Sequence, residues 1–233
     1  MKKQSAKQTF TKKQYYRLTK RQSAYLRVQQ LLSRLAAAAG LVVSAPIFLG
    51  IYIAIKAEEG IKAPIFFMQK RVGQNKELFE LYKVRSMKLS TPHNVPTHLL
   101  ENPEQYITKT GKFLRRSSLD ELPQLINILK GDMVVCGPRP ALWNQYDLIE
   151  EREAYGVHQI KPGLTGWAQI HGRDELEIPE KARLDAYYLK HFGPLIDLRC
   201  FLGTFCSVLR GDGVVEGGTG ELKRQEEKKA SVS

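Results

Sequence analysis

Twenty-one consecutive uncharged residues, Leu35 to Ile55, lie between Arg34 and Lys56, with Pro46 near their centre. As a helix this run is about 31 Å long, close to the ~30 Å hydrocarbon core of a bilayer. A chain carrying it is expected to sit in a membrane, so the remainder is read as chemistry at a lipid surface. Pro46 removes a backbone donor and crowds the preceding turn, which predicts a kink or break at Ser44-Ala45-Pro46. Two arms of about 10 residues reach only about 15 Å each, which fits a helix that dips into one leaflet and returns. Length alone fits equally a single span with a tolerated proline. The run exceeds the roughly 7–15 apolar residues of a secretory signal, and no small-residue cleavage pattern follows it.

Charge is distributed unevenly. Residues 1–34 hold ten basic side chains and no acid, while the remainder is nearly balanced within a total of +12. Nucleic acid is one class of partner for such a tail. Beside an apolar membrane segment, anionic lipid headgroups are the simpler partner, at about 1 kcal/mol per Lys or Arg. The same charge places the N-terminus in the cytoplasm. Three cysteines, Cys136, Cys200 and Cys206, suggest neither a disulfide framework nor a zinc site. The reading divides the chain into a basic extension (1–28), a re-entrant membrane helix (29–56), a cytoplasmic catalytic domain (57–215) and a disordered tail (216–233). An α+β fold is expected, mainly helical with a few short strands.

Pro64–Gln69 and Leu78–Arg85 read as two strands of a hairpin around a turn at 71–76. Residues 90–104, with His93 and His98, read as a loop. Ser117-Ser118-Leu119-Asp120-Glu121-Leu122-Pro123 opens a helix with an apolar face at Leu122, Leu125, Ile126 and Leu129, ending at Gly131. Ser118 and Glu121 have capping-box spacing, and Pro123 marks the first turn. Asp120 and Glu121 would then lie at the positive end of the helix, which lowers carboxylate pKa values and receives phosphate. Acids favour helix starts for structural reasons alone, so the pair is informative only with its company. That company is Arg115 and Arg116 upstream and Gly137-Pro138-Arg139-Pro140 after a strand at 133–136. Proline on both sides of Arg139 restricts its backbone, and a rigid guanidinium suits phosphate. Lys161–Trp167 reads as turns followed by a short apolar strand and Gly172-Arg173, and 181–192 as a helix. Leu195–Leu209 reads as an amphipathic helix at the membrane interface or in the core.

These blocks resemble the bacterial sugar transferases, the monotopic phosphoglycosyl transferases that act on a polyprenyl phosphate carrier. The resemblance runs from about Gln29 to Val214. It rests on Pro64–Gln69 with Arg71 and Gly73, on Tyr82-Lys83-Val84-Arg85-Ser86-Met87, and on Leu114–Leu125. It continues through Lys130–Met133, Gly137–Pro140, Pro162–Gln169 and Asp185. It implies Asp120 as nucleophile, with Glu121, and Asp120 beside it, holding Mg²⁺. It implies Lys83, Arg85, Arg115, Arg139, Pro140, Arg173 and Asp185 around the substrate. The family's membrane helix is broken by a Ser-Pro pair; here Ala45 precedes Pro46 and the serine is Ser44. A family acid near the helix start is replaced by Ser33.

The chemistry so implied begins with attack of Asp120 on the sugar-proximal phosphate of a UDP-sugar, releasing UMP. Polyprenyl (undecaprenyl) phosphate then takes the phosphosugar, the first membrane step of a capsule, exopolysaccharide or glycoprotein glycan, at the cytoplasmic face of the bacterial inner membrane. A low Asp120 pKa is expected. Anionic lipids and a second copy of the chain are candidate partners; nucleic acid is not expected. Two other classes remain open: a metal-dependent glycosyltransferase that transfers only the sugar and releases UDP, and a non-enzymatic membrane adaptor using the basic tail.

Overall fold

The computed structural model describes residues 14–91, 103–172 and 176–210. The N-terminal helix α1 runs for 40 residues, Lys20–Glu59, so it begins inside the stretch assigned to the basic extension. Thr19 and Gln22 form a reciprocal capping box at its start, and Gly60, at φ 90°, closes its end. The helix is unbroken across Pro46, so of the kink or break expected at Ser44–Pro46 the break is absent. The proline withdraws one donor from the turn, while the Ser44 hydroxyl donates to the Leu41 carbonyl at 3.3 Å within the same turn; local adjustment of this kind lets membrane helices keep a proline.

One stripe of α1, comprising Gln22, Gln29, Ser33, Ala37, Ser44, Ile51 and Ile55, is buried. The opposite side exposes Leu31, Leu32, Leu35, Val42, Val43, Leu49 and Ile53. Small residues let the buried stripe come close: a side chain at Gly40 would press on Leu125. Both ends of α1 hold the same domain. Gln22 Nε2 donates to the Leu189 and Lys190 carbonyls, and the Glu58 carboxylate accepts from the Lys109 and Thr110 amides at 2.8 Å each.

The hairpin forms as read: β1 (Phe66–Val72) pairs antiparallel with β2 (Leu78–Val84), Phe66 opposite Val84. Helix α2 (Lys109–Arg116) and helix α3 (Gln124–Lys130) flank the acidic pair. The strand β3 (Val134–Cys136) runs parallel to β4 (Gly163–Thr165). Here the sequence reading is corrected. The strand is Gly163–Thr165, within the stretch read as turns, and the segment after Trp167, expected to be a short strand, lies in the short helix α5 (Trp167–Ile170). The reason is backbone proximity: any Cβ at Gly163 or Gly166 would collide with the Gly137 backbone. Helices α4 (Tyr146–Tyr155), α6 (Ile178–Lys190) and α7 (Pro194–Arg210) complete the domain. The fold is α+β and mainly helical, as expected.

Among the described residues the apolar packing falls into four small cores rather than one large one, and three of them are built along α1. Ile51 and Ile55 pack with Val84 and Leu114; Ala37 packs with Leu81, Ile128 and Met133; Tyr25 and Leu26 cover the cluster of Tyr188, Leu189, Phe192 and Cys200. The fourth, around Val72, Leu148 and Ala182, is built without it. On α7, Ile196 and Cys200 face the core of Tyr188, Leu189 and Phe192, while Leu195, Leu198, Phe201 and Leu202 are each more than half exposed. A buried polar knot joins α1 to α7: Gln29 Nε2 donates to Asp197 Oδ2 at 2.7 Å and to the Cys136 carbonyl at 2.9 Å, and the Tyr25 hydroxyl donates to the same carboxylate.

Candidate active site

Asp120 and Glu121 lie in a single 3-10 turn, Leu119–Glu121, ahead of α3 rather than within its first turn. Ser118 takes the left-handed conformation (φ 56°) and makes no side-chain cap. The expected Ser118–Glu121 capping box is therefore absent. The Glu121 backbone amide reaches the Ser118 carbonyl instead, which leaves its carboxylate to face inward. The helix α3 starts at Gln124 with Pro123 as its N-cap, later than the expected start at Ser118, while the left-handed C-cap at Gly131 agrees with the reading.

Three cations converge on the two carboxylates, which are only 7% and 8% exposed. Arg139 Nη2 donates to Glu121 Oε1 at 2.7 Å and its Nη1 approaches Oε2 at 3.4 Å. Lys83 Nζ is 3.1 Å from Glu121 Oε1 and 4.0 Å from Asp120 Oδ2. Arg115 stands nearby, its Nε donating to Ser86 Oγ at 2.9 Å. Glycine places it: α2 packs so closely on Ser86 that a Cβ at Gly111 would overlap the Ser86 carbonyl. Burial pushes the Asp120 carboxyl above the usual carboxylate range; Lys83, Arg115 and Arg139 pull it back and Glu121 adds to the rise. The expected low Asp120 pKa is thus corrected. A one-turn 3-10 segment supplies little of a helix dipole, and desolvation outweighs what remains.

The loop presenting Arg139 is held at every carbonyl. The Pro138 oxygen accepts from the Gly163 amide (2.9 Å), Arg139 from Arg152 Nη1 (2.8 Å), Pro140 from Arg71 Nη1 (2.9 Å) and Ala141 from the Val72 amide (2.9 Å). Pro138 and Pro140 are buried on either side of the half-exposed Arg139. Pro140 thereby shapes the loop rather than offering a polar group of its own. Arg85 follows β2 on the same face as Lys83, with its Nε enclosed and without a hydrogen-bond partner.

Asp185, expected beside the substrate, is instead fully buried behind this wall. Its Oδ2 accepts from Arg152 Nε at 2.8 Å and Nη2 at 2.6 Å, and Arg152 in turn holds the Arg139 carbonyl. Asp185 acts on the site through two other side chains. Arg173 lies outside the described residues, as do His93 and His98. Arg152 went unread because it stands among Glu150, Glu151 and Glu153, where a solvent-facing salt-bridge pattern is the ordinary interpretation. Asn127 was also missed. Fully buried, it donates to the Glu80 carbonyl and accepts from the Tyr82 amide, locking α3 to the strand that carries Lys83.

Among the described residues no cluster of three or more His, Cys, Asp or Glu could hold a metal by itself. The donor set nevertheless fits Mg²⁺, which takes one or two carboxylates and completes its shell with substrate phosphates and water. Asp120 and Glu121 are adjacent oxygen donors in a site already built to balance negative charge.

A model of the bacterial sugar transferases matches residues 24–211, most of the chain. The chain belongs to that family and is a transferase of it. It is 41% identical over 154 residues to an uncharacterized sugar transferase, EpsL, of Bacillus subtilis, covering 66% of this chain and 74% of that one. It is 37% identical over 178 residues to the UDP-glucose:undecaprenyl-phosphate glucose-1-phosphate transferase of Escherichia coli, covering 73% of this chain and 37% of that protein. It is 31% identical over 193 residues to the exopolysaccharide production protein ExoY of Rhizobium meliloti, covering 77% and 84%. The chain thus spans well under half of the larger Escherichia coli relative and most of the two smaller ones.

Proposed function

We propose that this chain transfers a phosphosugar from a UDP-sugar to undecaprenyl phosphate, with Asp120 as nucleophile. The observation that carries the proposal is a buried carboxylate, Asp120, ringed by Lys83, Arg115 and Arg139, in a turn whose Leu119 and Leu122 pack against Ile51 and Ile55 of the apolar helix α1. A nucleotide sugar brings two anionic phosphates, and a carboxylate can approach phosphorus only where that charge is offset. Asp120 Oδ attacks the sugar-proximal phosphorus; the bond to the bridging oxygen breaks, and UMP leaves with the electron pair. A phosphate oxygen of the polyprenyl carrier then attacks the same phosphorus and restores the free carboxylate. Arg139 and Arg115 hold the phosphate oxygens through both displacements. Bound Mg²⁺, held by Glu121 and Asp120, would supply further charge neutralisation at the phosphates. The release of UMP rather than UDP from a panel of UDP-sugars tests the reading against a sugar-only transferase. Turnover itself tests it against a membrane adaptor.

The raised Asp120 pKa gives a pH signature. Protonated Asp120 cannot attack, so kcat/KM should fall as pH drops through a midpoint above the ~3.9 of an ordinary aspartate. Lys83 is the strongest of the groups opposing the rise. In Lys83→Met the acid limb should therefore move to still higher pH, whatever happens to the absolute rate. A limb that stays in place or moves to lower pH would assign it to another group.

We also propose that α1 lies in one leaflet, with the basic N-terminus and the catalytic domain both cytoplasmic and the exposed face of α7 at the interface. A 40-residue helix is about 60 Å long, yet the domain grips it from Gln22 to Ile55. A perpendicular span would carry that polar domain through hydrocarbon, at several kcal/mol for each unsatisfied polar group. Single cysteines at Ser5 and Ser231, in a chain lacking Cys136, Cys200 and Cys206, decide the matter in intact cells. Both should be protected from an impermeant reagent; labelling at Ser231 alone would contradict this one-leaflet placement.

A further inference from the structure

We propose that Tyr16–Gln22, the segment leading into α1, is an intramolecular clasp that positions Arg139 through α4 and Arg152. The segment lies upstream of residue 24, where the family match begins, so it is a feature of this chain beyond the shared domain. Residues ahead of a first helix stay loose unless something ties them down, and here the ties are specific. The Tyr16 amide donates to the Tyr155 carbonyl, the last residue of α4, at 3.1 Å. Gln159 Nε2 donates to the Tyr16 carbonyl at 2.5 Å and to the Gly156 carbonyl at 2.9 Å, while its Oε1 faces the Leu18 amide.

Gly156 makes the close approach possible. It sits at φ +78°, and a Cβ there would come within 2.7 Å of the Tyr16 carbonyl and 3.1 Å of the Tyr15 ring. On the other flank, the Tyr16 hydroxyl donates to Gln22 Oε1, and Gln22 Nε2 reaches the last carbonyls of α6. The clasp thus ties the start of the membrane helix to the ends of α4 and α6 at once.

These are the two helices that carry the Arg152–Asp185 pair, one residue on each. Arg152 stands one turn before Tyr155 and donates to the Arg139 carbonyl. Val157 and His158, in the clasped turn, line a water-sized hollow together with Arg139, Pro140 and Arg152. Opening the clasp frees the end of α4, which loosens the support of the Arg139 backbone. Tyr16 and Gln159 are on this account positioning residues and touch no substrate.

The structural half of this proposal stands without the reaction; its kinetic half rests on the phosphosugar transfer proposed above. The test is amide hydrogen exchange on the full chain in nanodiscs, compared with Gln159→Ala and with a chain lacking residues 2–18. Exchange should quicken about tenfold at Gly156 and Gln159 and also at Gly163, whose amide holds the Pro138 carbonyl. Because Arg139 grips phosphate in ground and transition states alike, KM for the nucleotide sugar should rise about tenfold with kcat within threefold of the parent. Removing residues 2–13 alone should change neither quantity. Faster exchange at Gly156 with none at Gly163 would overturn the proposal, as would the full effect in the chain lacking only 2–13. Should the parent turn over no UDP-sugar, the phosphosugar reading fails, and the exchange at Gly163 still decides the clasp.

Discussion

Asp120→Asn is expected to lower turnover at least about a thousandfold while the protein folds and stays at the membrane. The carboxamide keeps the shape of the side chain and removes the attacking negative charge, and loss of a covalent nucleophile is among the most damaging single changes an enzyme can suffer. Stability should move the other way. Burial raises the Asp120 pKa in the folded state, so the folded chain binds the proton more tightly than the unfolded one. Stability from this group is then present at low pH and lost as pH rises through the folded pKa. At neutral pH the ionised carboxylate is a cost that asparagine removes. A thermal melt at pH 7.5 should show Asp120→Asn at least as stable as the parent. Loss of both activity and melting temperature would make Asp120 a structural residue.

The second large effect is behind the site. Asp185→Asn leaves the Arg152 guanidinium, 3% exposed, without its counter-charge, a change that costs about 3–5 kcal/mol in buried pairs. Against a typical stability of about 5–15 kcal/mol that is enough to unfold much of the protein at growth temperature. Replacing both partners, Arg152→Met with Asp185→Leu, should recover most of the stability because an apolar pair of similar volume fills the space. It should not recover activity, since the Arg139 carbonyl still lacks its donor. Recovery of both would reduce the pair to packing.

How far the sequence leads is clear residue by residue. The β1–β2 hairpin, the end of α3 at Gly131 and the rigid loop around Arg139 were legible, because alternation, proline and glycine act through the local backbone. So was the acidic pair, through its neighbours in the chain. The direction of the Asp120 shift was not, because it depends on burial by α2, β2 and the 137–141 loop together. Asp185 was placed at the substrate because its partner, Arg152, is 33 residues away in an acidic stretch that looks solvated. Pro46 misled for a related reason: proline breaks helices in water, but in α1 the helix continues past it along a stripe packed on the domain. The strand at 163–165 was hidden by Gly163 and by Gly166 just after it, which mark close approach to Gly137 rather than a turn.

The most direct measurement is the mass of the intact protein after incubation with a UDP-sugar and Mg²⁺ in the absence of polyprenyl phosphate. The expected result is one added phosphosugar per chain, mapped to Asp120, with stoichiometric UMP. The adduct should disappear on addition of undecaprenyl phosphate and never form in Asp120→Asn. Sustained release of UDP from an unmodified chain, or an adduct that forms equally in Asp120→Asn, would contradict it.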